Sequence, residues 1–247
     1  MSENETALLL RELSAKVAQG QVDWVPLQQV LARGLGRLAH ASDDCIYVDG
    51  IAGTDGCLWT SDPEYAAQVL ASHPRPAMLE VTGTEAAHAA KQAFLGCEGP
   101  FEHLVCAYLE PQAPQVSGEF TVRPLTPDFA HTVLSHYSHP EFFDEEEVRR
   151  RLAAGIIDGG FVGDELVGFI GLHGEGSMGM LEVFPPYRRR GFARQLEAAK
   201  IASELELGHI PWGQVFPENS ASIQLQRSLG LRFGHEFQAF MDCGTVE

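Results

Sequence analysis

The stretch PPYRRRGFARQL, residues 185–196, sets three consecutive arginines before a glycine and a small residue, in a chain with 34 Asp and Glu against 17 Lys and Arg. Five of those 17 basic residues fall between Arg188 and Lys200, although the formal net charge of the whole is −17. The pattern predicts a strand over MLEVF, a turn through PPYRRR and a helix from Gly191 with Phe192 and Leu196 on its apolar face. Backbone N–H groups at such a helix start lack intrahelical acceptors and stand at the positive end of the macrodipole, which suits an anion. Gly191 lets the backbone approach a phosphate, Ala193 adds no bulk, and Arg188, Arg189 and Arg190 supply screening charge. A pyrophosphate fits this description; an arginine-rich surface turn is the plain alternative. No GKS or GKT ending and no GxGxxG accompany the loop, so neither a nucleotide triphosphatase loop nor a dinucleotide fingerprint is indicated.

The rest of the composition is that of a globular protein, 247 residues with 45% hydrophobic and 21% charged. No apolar run approaches the about 18 residues of a membrane helix, and MSENETALLLRELSAKV lacks a basic leader and cleavage site, so a cytoplasmic protein is expected. The acidic balance disfavours nucleic acid and anionic membranes and favours cationic amines as partners. Five cysteines without CxxC spacing suggest reduced thiols, and no metal site is expected.

The Pro- and Gln-rich PQAPQVSG, residues 111–118, divides the chain, giving domains at 1–112 and 119–247 with a linker at 113–118. Before it, helices are expected near 4–19, 25–39, 63–72 and 84–95, and strands near 44–49, 55–60, 76–81 and 102–109. A shift of 134 positions lays residues 76–96 over 210–230 without a gap, each a strand, a polar turn and a helix ending in Leu-Gly. The same shift lays TDGCLW (54–59) over RRRGFA (188–193). Either the halves share a fold, the first being a degenerate copy without the arginine and glycine chemistry, or two ordinary strand-helix units resemble each other by chance.

Arg188-Arg189-Arg190-Gly191-Phe192-Ala193 resembles the Arg/Gln-x-x-Gly-x-Gly/Ala signature of the GNAT superfamily of N-acyltransferases. LEVFPPYR is similar to that family's fourth strand and its exit, and Asn219 followed by a helix ending in LGL resembles the next strand-helix segment; the resemblance covers residues 119–243. The two-domain build resembles glycine N-acyltransferase-like enzymes. The resemblance implies an α/β (α+β) fold with a mixed, curved central sheet flanked by helices. It also implies acetyl-CoA or another acyl-CoA as co-substrate, held by Leu181, Val183, Arg188, Arg189, Arg190, Gly191, Phe192, Ala193 and Asn219. The acceptor is then a small-molecule amine or amino acid, or a protein amine; a non-catalytic coenzyme A binder or sensor is the rival reading.

Amine acylation needs a base, and three candidates lie near the fourth strand: Glu175 at its entrance, His173 before it and Glu182 within it. Each has an ordinary structural role open to it, respectively a turn residue, a satisfied backbone group and a solvent-facing strand position. At the position where the family often has a tyrosine acid, seven residues beyond Asn219, this chain has Gln226; Tyr187 is the nearest substitute, or a packing residue. The acidic run FFDEEEVRRR, residues 142–151, reads as a helix start capped by Asp144. The resemblance would also put Phe142, Phe143 and those acids near the acceptor.

Overall fold

The computed structural model describes residues 3–116, 118, 120–140 and 143–244; Phe142 lies outside them. The first half runs α1 (Glu3–Ala18), a 3-10 turn (Val22–Trp24), α2 (Val25–Ala32), β1 (Arg37–Ala41), β2 (Cys45–Ile51), β3 (Asp55–Thr60), α3 (Pro63–Ala71), β4 (Met78–Thr82), α4 (Thr84–Ala93) and β5 (Glu98–Ala107). The second runs β6 (Thr121–Pro124), a 3-10 turn (Pro127–Phe129), α5 (Ala130–His136), α6 (Glu145–Ala153), β7 (Asp158–Val162), β8 (Glu165–Leu172) and β9 (Met178–Val183). A 3-10 turn (Pro185–Tyr187), α7 (Phe192–Glu206), β10 (Trp212–Val215), α8 (Ser220–Leu229), β11 (Arg232–Phe233) and β12 (Gln238–Asp242) complete it.

Local chemistry fixes most of these boundaries. Asp144 accepts from Glu147 N at 2.7 Å and opens α6, whose first-turn acids pair with later arginines, as Glu145 does with Arg149 at 2.9 Å. Asn219 caps α8 in the same way through Ser222 N at 3.1 Å, and Gly230, at φ 95°, closes that helix. The expected helix at 25–39 is corrected: it stops at Ala32. Gly34 adopts φ 65° and Leu35 N donates to Val30 O at 2.9 Å, the 6→1 bond that ends a helix. The chain then extends as β1, because pairing with β2 buries Leu38, and tertiary pairing overrides the helical pattern of GRLAHA.

All strands join one open mixed sheet with helices packed on it, in the order β1-β2-β3-β4-β12-β5-β10-β9-β8-β7-β6, with β11 also against β5. The ordering crosses over at the centre. β12, from the end of the chain, pairs antiparallel with β4 (Gln238↔Thr82 to Asp242↔Met78), while β5 pairs antiparallel with β10 (Trp212↔Ala107 to Val215↔Leu104). β5 and β12 also pair with each other. Each half therefore completes its sheet with a strand from the other. Buried Asp23 secures the crossing: its carboxylate accepts from His235 N at 2.9 Å and Glu236 N at 3.0 Å.

The 134-residue shift holds over β4–α4–β5 against β10–α8–β11/β12, but not upstream. β3 begins at 55 and β9 at 178, 123 positions later, because α7 and the loop before it are longer than α3 and its turn. The overlay of residues 54–59 on 188–193 is thus corrected: it sets strand β3 against the arginine loop, which has no counterpart in the first half.

Among the described residues no helix is long and apolar enough to cross a membrane. A fragment of residues 119–247 would lack β5, leaving β10 and β12 each with an open edge, a template for association. It is expected to aggregate or exchange strands when made alone and to become soluble on co-expression with residues 1–112. Size-exclusion chromatography and circular dichroism check this; a monomeric, cooperatively folding fragment would show the exchange to be dispensable.

Candidate acyl-transfer site

β9 leaves the sheet at Phe184, and after the Pro185–Tyr187 turn the chain passes Arg188 in extended conformation, Arg189 at φ 63° and Gly191 at φ 81°. Gly191 is the N-cap of α7 and brings no capping side chain. The first helical bond is Gln195 N to Gly191 O, at 3.2 Å, so the N–H groups of Phe192, Ala193 and Arg194 precede any helical acceptor. A Cβ at Gly191 would meet nothing within 4 Å, so the space before the helix start is open. Two of the three arginines shape the loop. Arg188 Nε donates to Val183 O at 2.9 Å, and the Arg190 guanidinium lies 5.0 Å from the Phe192 ring centroid, with Phe192 itself stacked on Phe120 at 4.9 Å.

The strand leading to this loop is parted from its neighbour. β9 and β10 are parallel and in register only at Met178↔Gly213, whereas in the first half β3 and β4 stay parallel from Gly56↔Leu79 through Trp59↔Thr82. Leu181, Glu182 and Val183 lie beyond the contact point, on a β9 edge that β10 no longer covers. A bulge between Phe169 and Gly171 in the β8–β9 pairing, with Met180 at φ 54°, re-aims the strand at this point. In the first half β3 enters α3 directly, and the Asp62 carboxylate accepts from Tyr65 N at 3.0 Å. An acid there occupies the helix start that Gly191 leaves open in the second half.

Where β9 begins, a cavity of about 320 Å³ opens between the halves. His173, Glu175, Ser177 and Gln214 line it from the second half, with Asp55 and His103 from the first; Tyr137, Phe143, Phe216 and Phe240 form apolar walls. Glu175 accepts from Ser177 Oγ in a short hydrogen bond and keeps some accessible surface on the cavity, although protein surrounds it. Burial and the charge of Glu80 push its carboxyl up to about 7. His173 goes the other way. Burial, then the Arg151 charge, lowers it to about 4, so its imidazole is neutral. Its ring stands over Gly179, where a Cβ would collide with it, and stacks on Phe143 at 6.4 Å.

The structure thus brings Glu175 and His173 together but not Glu182. Glu182 accepts from Ser138 N at 2.9 Å and from Ser138 Oγ, fastening the segment after α5. Asn219 is the α8 cap, and Tyr187 lies in the turn before the arginines, where a hydrogen bond to Glu165 raises its phenol. Gln226 is buried against Glu197 of α7. Glu197 is 1% exposed, and burial pushes it up to about 7, eased by the Gln226 hydrogen bond. Sequence reasoning missed Glu80, His103 and Gln214. Yet Glu80 and Gln214 are 134 positions apart, the spacing of the sequence shift, and Gln214 Nε2 donates to Glu80 Oε1 at 2.8 Å.

Residues 121–231 match the family model described as the acetyltransferase (GNAT) family. This stretch, 111 of the 247 residues, carries the sequence pattern of that family. Solved structures resemble the chain over both halves. A Drosophila protein is 18% identical with TM-score 0.63, covering 98% of this chain and 96% of its own. A GCN5-related N-acetyltransferase from Kribbella flavida is 12% identical with TM-score 0.56, covering 89% and 93%. A GCN5-related N-acetyltransferase-like protein from Streptococcus suis is 14% identical with TM-score 0.52, covering 94% and 98%. At these identities the likeness is one of fold. No curated protein matches the sequence.

Glu197 gives a stability test independent of turnover. Its folded-state carboxyl titrates near 7 against 4.5 ordinarily, so its favourable contribution is complete below pH 4.5 and is lost as pH rises through 7. Glu197→Gln, which has nothing to ionise, should therefore gain roughly 3 kcal/mol relative to the parent between pH 4 and pH 8. Urea unfolding at the two pH values measures this, and a pH-independent difference would refute it.

Proposed function

We propose that the protein is an acyl-coenzyme A-dependent N-acyltransferase, most simply an N-acetyltransferase, acting on a primary amine with Glu175 as base. The carrying observation is the conjunction of the open arginine–glycine helix start, the parted β9–β10 edge and a basic carboxylate in the cavity where that edge begins. The residues suit the co-substrate. Unbonded N–H groups from Phe192 onward and the Arg188–Arg190 charges favour a pyrophosphate. The β9 edge at Leu181 and Val183 offers backbone groups to an amide-bearing arm, as a strand would. Asn219 contributes by fixing the start of α8.

Bound acyl-coenzyme A supplies an activated carbonyl, and transfer forms the amide C–N bond as the C–S bond breaks with its electron pair going to sulfur. Glu175 takes the proton that the amine nitrogen gives up. A carboxylate near 7 is half ionised at neutral pH and strong enough to accept that proton, whereas His173, near 4, is the weaker base of the two. Gln226 cannot donate to the departing sulfur, but a thiol of pKa about 8.5 leaves tolerably as thiolate near neutral pH. The missing acid is also what favours the rival reading, a coenzyme A binder without turnover.

The first half is proposed to be a degenerate copy of the second, on the shared order of β4–α4–β5 and β10–α8–β11/β12, retained for strand exchange and one cavity wall. The free thiols of Cys45, Cys57, Cys97, Cys106 and Cys243 suit a reducing, cytoplasmic setting.

Gly191→Asp adds bulk and negative charge at the helix start and should abolish coenzyme A binding in calorimetric titration while the fold survives. Glu175→Gln should lower turnover roughly 10²- to 10⁴-fold with coenzyme A affinity unchanged. The parent's rate should climb with pH and level off above about 7, where Glu175 is ionised; the variant should lose that limb. Coenzyme A binding without transfer to any amine would decide for the rival.

A further inference from the structure

Behind the cavity's first-half wall, which Asp55 and His103 line, lies a buried acid that neither the fold nor the coenzyme loop requires. Glu80, on β4, is 5% exposed, and His103, on β5, is 4% exposed. His103 Nε2 lies 3.7 Å from Glu80 Oε1, and that same oxygen accepts Gln214 Nε2 at 2.8 Å. Among the described residues neither ring nitrogen of His103 has a hydrogen-bond partner, although the ring is buried, lines the cavity and lies tilted against Phe240 at 4.5 Å. A buried imidazole left unpaired is costly unless something enters to pair with it. Across the cavity stands Glu175, close enough for the charge of Glu80 to be felt there. Two carboxylates in a low-dielectric space repel, and a cation between them relieves the repulsion.

Among the described residues, the arginine that lines the cavity is committed elsewhere through Nε and Nη1. Arg151, the lining arginine, donates to Glu147 Oε1 at 2.7 Å and Leu172 O at 2.9 Å and lies over the Phe143 ring at 4.6 Å. The remaining walls are aromatic, from Tyr137, Phe143, Phe216 and Phe240. The geometry points to an acceptor that is a small monoamine with an apolar or aromatic body and no carboxylate, its ammonium held at Glu175 in the field of the Glu80–His103 pair of the first half. This rests on the acyl-transfer reading and deepens it. The first half favours the acceptor's charge, and Gln214 fixes the Glu80 carboxylate beside His103. A free amino acid is disfavoured, because its carboxylate would face Glu175, Glu80 and Asp55 with Arg151 already engaged.

Binding of 2-phenylethylamine to the coenzyme A-saturated full chain, with phenylalanine and glycine as carboxylate-bearing controls, tests the inference without a mutation. The monoamine is expected to bind at least roughly 10-fold tighter than phenylalanine, the loss of one charge-assisted contact being worth about that or more. In steady state with acetyl-coenzyme A it should be the preferred acceptor. Glu80→Gln and His103→Phe should each raise its KM roughly 10- to 100-fold, with coenzyme A affinity little changed. Tighter binding or faster acylation of phenylalanine or glycine would overturn the acceptor class. An unchanged KM in both folded variants would overturn the role of the first half. Monoamine binding without any transfer would sink the acyltransferase reading and leave this one standing.

Discussion

The structure depends on the exchange of two strands. β5 belongs in sequence to the first half and in hydrogen bonding to β10, while β12 belongs to the second half and bonds β4. Backbone groups at the centre of a sheet must be paired, so neither half can satisfy β4 or β10 without its opposite number. The sheet is thereby continuous, and a cavity between the halves acquires walls from both. The contact of Glu80 with Gln214, 134 positions apart, is a direct product of that exchange.

The two halves differ at the step from strand to helix. In the first, β3 and β4 remain in register, and Asp62 supplies the acceptor for the start of α3. In the second, β9 and β10 part after Met178, and a glycine with no capping side chain opens α7. One carboxylate on one helix start makes the difference between a site that repels an anion and one that receives it. On the proposed reading a chain of net charge −17 holds a pyrophosphate because attraction is confined to a few backbone N–H groups and the arginines beside them.

The second half was legible because its signals are local. A glycine at a helix start, an Asp or Asn cap and a first turn of acids each act within four residues, and Gly191, Asp144 and Asn219 all stand where the pattern set them. β1 was not legible, since GRLAHA carries a helical period and only pairing with β2 makes it a strand. The roles of Glu80 and His103 were hidden for a different reason. Nothing within β4 or β5 distinguishes a buried acid or imidazole from a solvated one, and their meeting with Gln214 and Glu175 requires strand exchange. The 134-position shift carries a usable signal, since it sets Glu80 opposite Gln214, two polar residues that meet in the fold.

The cavity also shows how one environment divides two neighbouring bases. His173 and Glu175 are two residues apart and share the same low-dielectric surroundings, yet burial acts on them with opposite sign, because it penalises whichever form carries charge. The imidazolium is the charged form of one and the carboxylate of the other, so the first falls to about 4 and the second climbs to about 7. Neighbouring charges reinforce the split: Arg151 opposes a proton on His173, and Glu80 opposes ionisation of Glu175. The outcome is a neutral imidazole packed over Gly179 beside a carboxyl that exchanges protons near neutrality. An arriving ammonium would lower the Glu175 carboxyl again while it remained charged, and that hold would relax once its proton had passed, because a neutral amine no longer steadies the two carboxylates. Binding and deprotonation are then successive consequences of a single electrostatic arrangement, to which the first half contributes Glu80 and the second Glu175.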